Sequence, residues 1–94
     1  MPNPMRTRVA ALTPRHREVV RLISLGCTVG EISRILRIAT STADNHRARA
    51  MKILGTDKAV LLTRLAIKYR LSSLDDKLTL AEKRRSGRKG DGWN

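Results

Sequence analysis

The sequence predicts an all-α fold, and three observations carry that prediction. Apolar residues recur at three- and four-residue spacing in successive segments, the mark of one buried helical face. No stretch alternates apolar and polar residues for long enough to make a strand. The core material is aliphatic, with no Phe and only Tyr69 and Trp93 as aromatic residues. A chain of 94 residues makes one small domain, which buries a modest share of its surface and is marginally stable.

Residues 1–11, MPNPMRTRVAA, hold two Pro and two Arg without periodicity and read as a flexible basic arm. The folded domain is expected over residues 12–71. Thr13 is an N-cap and Pro14 a first helical residue, where a missing N–H costs nothing. Val19, Leu22 and Ile23 then face inward, Val20 partly so, with Arg15, Arg17 and Arg21 on more exposed sides. Gly26 suits a left-handed helix end.

Thr28 followed by Glu31 is a capping-box pattern that opens a second helix, Val29 to Leu36. Val29, Ile32, Ile35 and Leu36 share its apolar face. Arg37-Ile38-Ala39 breaks the pattern. A third helix starts at Thr40 to Thr42, any of which could cap it, and runs to Leu54. Two short helices joined by three or four residues make a helix-turn-helix, whose second member enters the major groove of DNA.

At 100° per residue, turning Ala43 toward the core brings Ala50 and Leu54 to the same side, with His46 and Arg47 at the edges. Ser41, Asn45, Ala48, Arg49 and Lys52 then face outward, with Asp44 at the boundary. Gly55-Thr56-Asp57 ends this helix, and Asp57 or Thr56 caps a fourth over about 58–70. Leu62, Leu65, Ala66 and Tyr69 close the core from it. Val60, Ile67 and Leu71 fall on the opposite face with Arg64, and a second apolar face on an outer helix usually meets something. The expected partner is a second copy of the chain.

Residues 72–94 read as a basic tail. Leu74, Leu78 and Ala81 at helical spacing, with Ser73 and Asp76 as caps, suggest a short fifth helix to about Arg85. The Gly-rich end from Ser86 is expected to be disordered. Lys83, Arg84, Arg85, Arg88 and Lys89 could touch phosphates or simply be solvated.

The net charge of +12 is spread along the chain, and such an excess repels itself unless an anionic partner takes it up. A folded helical domain with spread charge fits a nucleic-acid binder better than a membrane-surface peptide. Cys27 is the single cysteine, so no disulfide forms within the chain. No metal-ligand cluster, cofactor motif or small-molecule site is evident. His16 and His46 lie on different helices and read as surface or boundary residues, so an enzyme is not expected. No apolar run is long enough for a signal peptide or a membrane span, which gives an expectation of a cytoplasmic protein.

The stretch from Leu12 to Lys68 resembles the helix-turn-helix domain of LuxR-type (GerE-like) bacterial transcription factors. The likeness rests on Leu12-Thr13-Pro14-Arg15, Arg17-Glu18-Val19, Gly26, Glu31-Ile32, Thr42, Asn45-His46 and Leu54-Gly55. It implies a four-helix domain, a recognition helix in the major groove and dimerisation through the last helix. This chain departs from the family pattern at His16 (usually Glu), Arg37 (usually Gly), Ala39 (usually a capping Ser) and Asp44 (often a DNA-gripping Lys). Pro14-Arg15-His16-Arg17-Glu18 and Arg47-Ala48-Arg49 also resemble region 4 of sigma factors.

The expected function is sequence-specific binding of double-stranded DNA by a dimeric transcription regulator. Asn45 is suited to pair with adenine, and Arg49 with guanine or phosphate. Ser41, Thr42, Arg47 and Lys52 are expected on phosphates beside Ala48, with Thr28 adding one more at a helix start. Asp44 has two readings, a helix-capping acid at the third position or an acceptor from a cytosine amine. A helix-turn-helix that has lost DNA binding and docks a protein is the competing class, favoured by Asp44 and by the apolar outer face of the fourth helix.

Overall fold

The structure is a computed structural model and describes residues 3–88. Among these residues there are six helices and no strands: α1 (Pro4–Ala10), α2 (Pro14–Ser24), α3 (Val29–Leu36), α4 (Thr40–Leu54), α5 (Ala59–Lys68) and α6 (Leu80–Ser86). The predicted all-α class and the helix-turn-helix pair α3–α4 are both present. Val19, Val20, Leu22, Ile32, Ala43, Ala50, Leu54, Leu62 and Ala66 form the centre of an aliphatic core.

Local chemistry explains the boundaries of the first helices. Thr13 accepts from the His16 N–H while the Thr13 N–H donates to His16 Nδ1, a capping box in which a histidine fills the third position. Pro14 occupies the first turn. Gly26 adopts φ 86° just past the end of α2, where a side chain would be strained. Thr28 and Glu31 cap α3 reciprocally. Arg37 ends α3 at φ 56°, the left-handed region in which glycine is the comfortable residue.

Three expectations about the chain ends need correction. Residues 4–10 are helical where a flexible arm was expected. Asn3 caps α1 by accepting from the Met5 N–H at 2.9 Å, and Pro4 fills the first turn, the same grammar as Thr13-Pro14. Val9 is buried in the core, and Arg17 donates to the Val9 and Leu12 carbonyls. The expected Pro-rich disorder lost to a cap and one apolar anchor.

The fifth helix starts later and has a different cap. Thr79 and Glu82 form the capping box of α6, so Ser73 and Asp76 do not cap it. Leu78 is buried ahead of the helix, whereas Leu74 is 86% exposed, so the two do not share a helical face. Ser72 donates to Asp76, and Arg21 grips the same carboxylate at 2.8 and 3.1 Å. Arg21 also donates to Glu82 and to the Lys77 carbonyl, so it is a tertiary tie and not an outward charge. Its guanidinium is held above the ordinary arginine range, chiefly by the bond to Asp76.

The tail from Ser86 was expected to be disordered, yet Ser86 is fully buried and Arg88 is placed against α3. Residues 89–94, which include Lys89 of the basic cluster, lie outside the described residues. The cap of α5 is Lys58, without a side-chain bond to the helix, in place of Asp57 or Thr56. Leu71 follows a reversal at Arg70 (φ 61°) and packs against the core, so it leaves the outer face on which it was expected.

Candidate nucleic-acid interface

α4 separates its two sides as the helical wheel predicts. Ala43, Ala50 and Leu54 are buried, joined by Met51. The small Ala side chains let α4 lie close against α2 and α3, which it contacts extensively. Ser41, Thr42, Asp44, Asn45, Ala48, Arg49 and Lys52 are all exposed, and His46 and Arg47 are half-buried at the edges.

The start of α4 differs from expectation. Its N-cap is Ala39, which makes no side-chain cap bond. Thr40 donates to Ser33 on α3, so Ser41 and Thr42 keep their hydroxyls free of the helix end. Asp44 therefore does not serve as a capping acid. Its carboxylate instead accepts from Arg47 at 3.1 and 3.3 Å. This pair also turns Arg47 along the helix surface, with Nη1 3.7 Å from Met51 Sδ. Arg47 was expected on a phosphate, and in this structure its guanidinium lies against Asp44 and Met51.

Asn45 and Arg49 lie on one wall of an open cleft whose other residues are Thr13, His16, Thr42 and His46. His16, expected at the surface or a boundary, is buried there, and its ring meets His46 edge-on at 5.7 Å between centroids. Burial, His46 and Arg49 push the His16 pKa down, which keeps Nδ1 available as acceptor for the Thr13 N–H. A second open concavity on the far side of α4 is lined by Arg47, Met51, Lys52 and Leu61. Thr28 stands exposed at the start of α3.

Cys27 is buried, and burial pushes its thiol up to about 11, which suits an inert core residue and not a nucleophile. Among the described residues, no His, Cys, Asp or Glu group is arranged to hold a metal ion. No described helix is long and apolar enough to cross a membrane.

Fold and site together define a helix-turn-helix protein with an open, polar and cationic second helix. The GerE family, described as bacterial regulatory proteins of the luxR family, matches residues 10–66. The chain belongs to that family. It is similar to the transcriptional activator protein BjaR1 of Bradyrhizobium diazoefficiens, with 40% identity over 60 residues, covering 64% of this chain and 25% of that protein. It is also similar to the transcriptional regulatory protein MctR of Rhizobium johnstonii, with 37% identity over 62 residues, 66% of this chain and 29% of the relative. The chain thus spans between a quarter and a third of the length of these curated relatives. No solved structure matches it.

Proposed function

We propose that the chain is a sequence-specific transcription regulator that sets α4 in the major groove of double-stranded DNA. The observation that carries this reading is the row Ser41, Asn45, Ala48, Arg49 and Lys52, exposed together opposite a buried Ala43–Ala50–Leu54 side. Asn45 is the base-reading residue, since its amide pairs with adenine N6 and N7, and Arg49 reads guanine or holds a phosphate. Ser41, Thr42, Lys52 and Thr28 grip the backbone, and Ala48 lets the helix approach closely. Asp44 and Arg47 act as a pair, with the acid tempering the positive edge of the helix. The relatives named as transcriptional activator and regulator support the regulatory role.

Dimerisation through α5 is the companion proposal. Val60 is 74% exposed and Leu61 45%, beside exposed Arg64 and half-buried Ile67. These four make the contact, and Leu71 drops out because it serves the core. Sedimentation of wild type and Val60→Asp, with and without duplex, tests the pairing.

Salt titration of duplex binding tests the groove reading. Affinity falls steeply with salt for the wild type, and Lys52→Ala reduces that slope by about one. The absence of salt-sensitive duplex binding would instead favour a protein-docking module.

A further inference from the structure

The part of the chain beyond the family match is built around arginines that reach α3. Arg88 donates to both carboxylate oxygens of Glu31 and to the Gly26 carbonyl. Arg34 donates from Nε to the Ser86 carbonyl at 2.8 Å. Arg85 reaches the Ile35 carbonyl. Together with the Arg21 ties to Asp76 and Glu82, these bonds lay residues 76–88 along α3 as a strap.

Arg34 is exposed, and its position is unusual. Its Nε is spent on the strap, close to Gly87, while Nη1 lies over Gly30: a Cβ built there would stand 3.7 Å from Nη1 and 3.9 Å from Thr28 Oγ1. The guanidinium of this exposed residue is therefore folded back toward Thr28. Its neighbour Ser33 meets Thr40 of α4. Gly30, Arg34 and Arg37 thus form a ledge on α3 between the strap on one side and the first turn of the groove helix on the other.

Charge decides what this ledge can hold. Glu31 sits at the same end of α3 and would repel a phosphate there. Arg88 neutralises it, and its hydrogen bond is the largest influence holding the Glu31 carboxyl down to about 2. The charges left over on the ledge belong to Arg34 and Arg37.

We propose that Arg34 is a DNA-backbone contact, oriented by the Ser86 carbonyl of the strap, and that it takes a phosphate flanking the one nearest Thr28. This rests on the groove reading of α4, because the first helix of a helix-turn-helix crosses the backbone when the second enters the groove. Once Nε is held, the planar guanidinium keeps its Nη1–Nη2 edge in a fixed orientation, a geometry suited to phosphate oxygens. The absence of a side chain at Gly30 lets Arg34 Nη1 lie over the first turn of α3, near Thr28 Oγ1.

The test compares salt slopes of duplex binding for the full chain and for Arg34→Gln, Lys52→Ala and Lys68→Gln. Lys68 lies at the far end of α5 beside Tyr69, so its variant controls for loss of one charge. Arg34→Gln is expected to weaken binding to all duplexes and to lower the slope by about one, while Lys68→Gln leaves the slope unchanged. A slope unchanged in Arg34→Gln but lowered in Lys52→Ala overturns the Arg34 contact and leaves the groove reading standing. Equal small losses in Arg34→Gln and Lys68→Gln also overturn it, because net charge alone then accounts for them. Unchanged binding in both Arg34→Gln and Lys52→Ala overturns the contact and the groove reading together.

Discussion

The Asp44 carboxylate accepts from both Nε and Nη2 of Arg47, one helical turn further along α4. Both groups are substantially exposed, so the pair adds little stability. Its consequence is electrostatic. An acid stands on the edge of the helix proposed to meet phosphates, and it pairs with Arg47.

Asp44→Asn is therefore expected to strengthen binding to every duplex, by about threefold to tenfold at low salt, and to steepen the salt slope by about one as Arg47 is released to a phosphate. Anisotropy titrations at several salt concentrations read both quantities. Weaker binding confined to one sequence would instead show that Asp44 accepts from a cytosine amine.

Arg37 holds a left-handed backbone at φ 56° and ψ 48° at the end of α3. Arg37→Gly should relieve that strain, offset in part by the greater freedom of glycine in the unfolded chain. A net gain of about 0.5–1 kcal/mol is expected. Thermal unfolding should move up by a few degrees, about the scale for a domain of this size. A lower midpoint would mean that the Arg37 side chain makes contacts worth more than the strain.

His16 and Glu31 are two of the groups that set the response to acid, beside Asp76 and Glu82, whose carboxyls are also held down. His16 has a folded pKa below its ordinary 6.5, so the native chain takes up that proton less readily than the unfolded one. Its contribution is present above pH 6.5 and is lost as the pH falls below it. Glu31 is held at about 2 against an ordinary 4.5, first by Arg88 and then, against the cost of burial, by Thr28. Its contribution, about 3 kcal/mol at neutral pH, is present above 4.5 and is lost as the pH falls toward 2. His16→Gln keeps a capping side chain and should flatten stability between pH 7 and 5. Arg88→Gln should destabilise at neutral pH and weaken the dependence below pH 4.5. Denaturant midpoints across pH 3–8 check both, and a His16→Gln curve parallel to wild type would contradict the first.

Much of the central domain was legible because its signals are local. Thr13-Pro14, Thr28 with Glu31, and Gly26 each specify a helix end within a few residues. The Ala43–Ala50–Leu54 spacing orients α4 without knowledge of its neighbours. The ends of the chain misled for a different reason. Asn3-Pro4 and Thr79 with Glu82 carry the same capping grammar, but Pro-rich composition and the spacing of Leu74, Leu78 and Ala81 pointed elsewhere. Arg21, Arg34 and Arg88 find partners 52 to 62 residues away, and no periodicity encodes such distances. The start of α4 was ambiguous because three hydroxyl residues stand in a row. The choice fell to Ala39 once Thr40 turned to Ser33.

The most direct test is a selection of bound sequences from a random duplex pool, run in parallel with wild type and Asn45→Ala. Wild type should enrich a defined motif. Asn45→Ala should lose preference at one adenine-containing position, with about 1–3 kcal/mol of discrimination gone there and the flanking preferences kept. An identical motif from both proteins, or no motif from wild type, would contradict the placement of the Asn45 face of α4 in the groove.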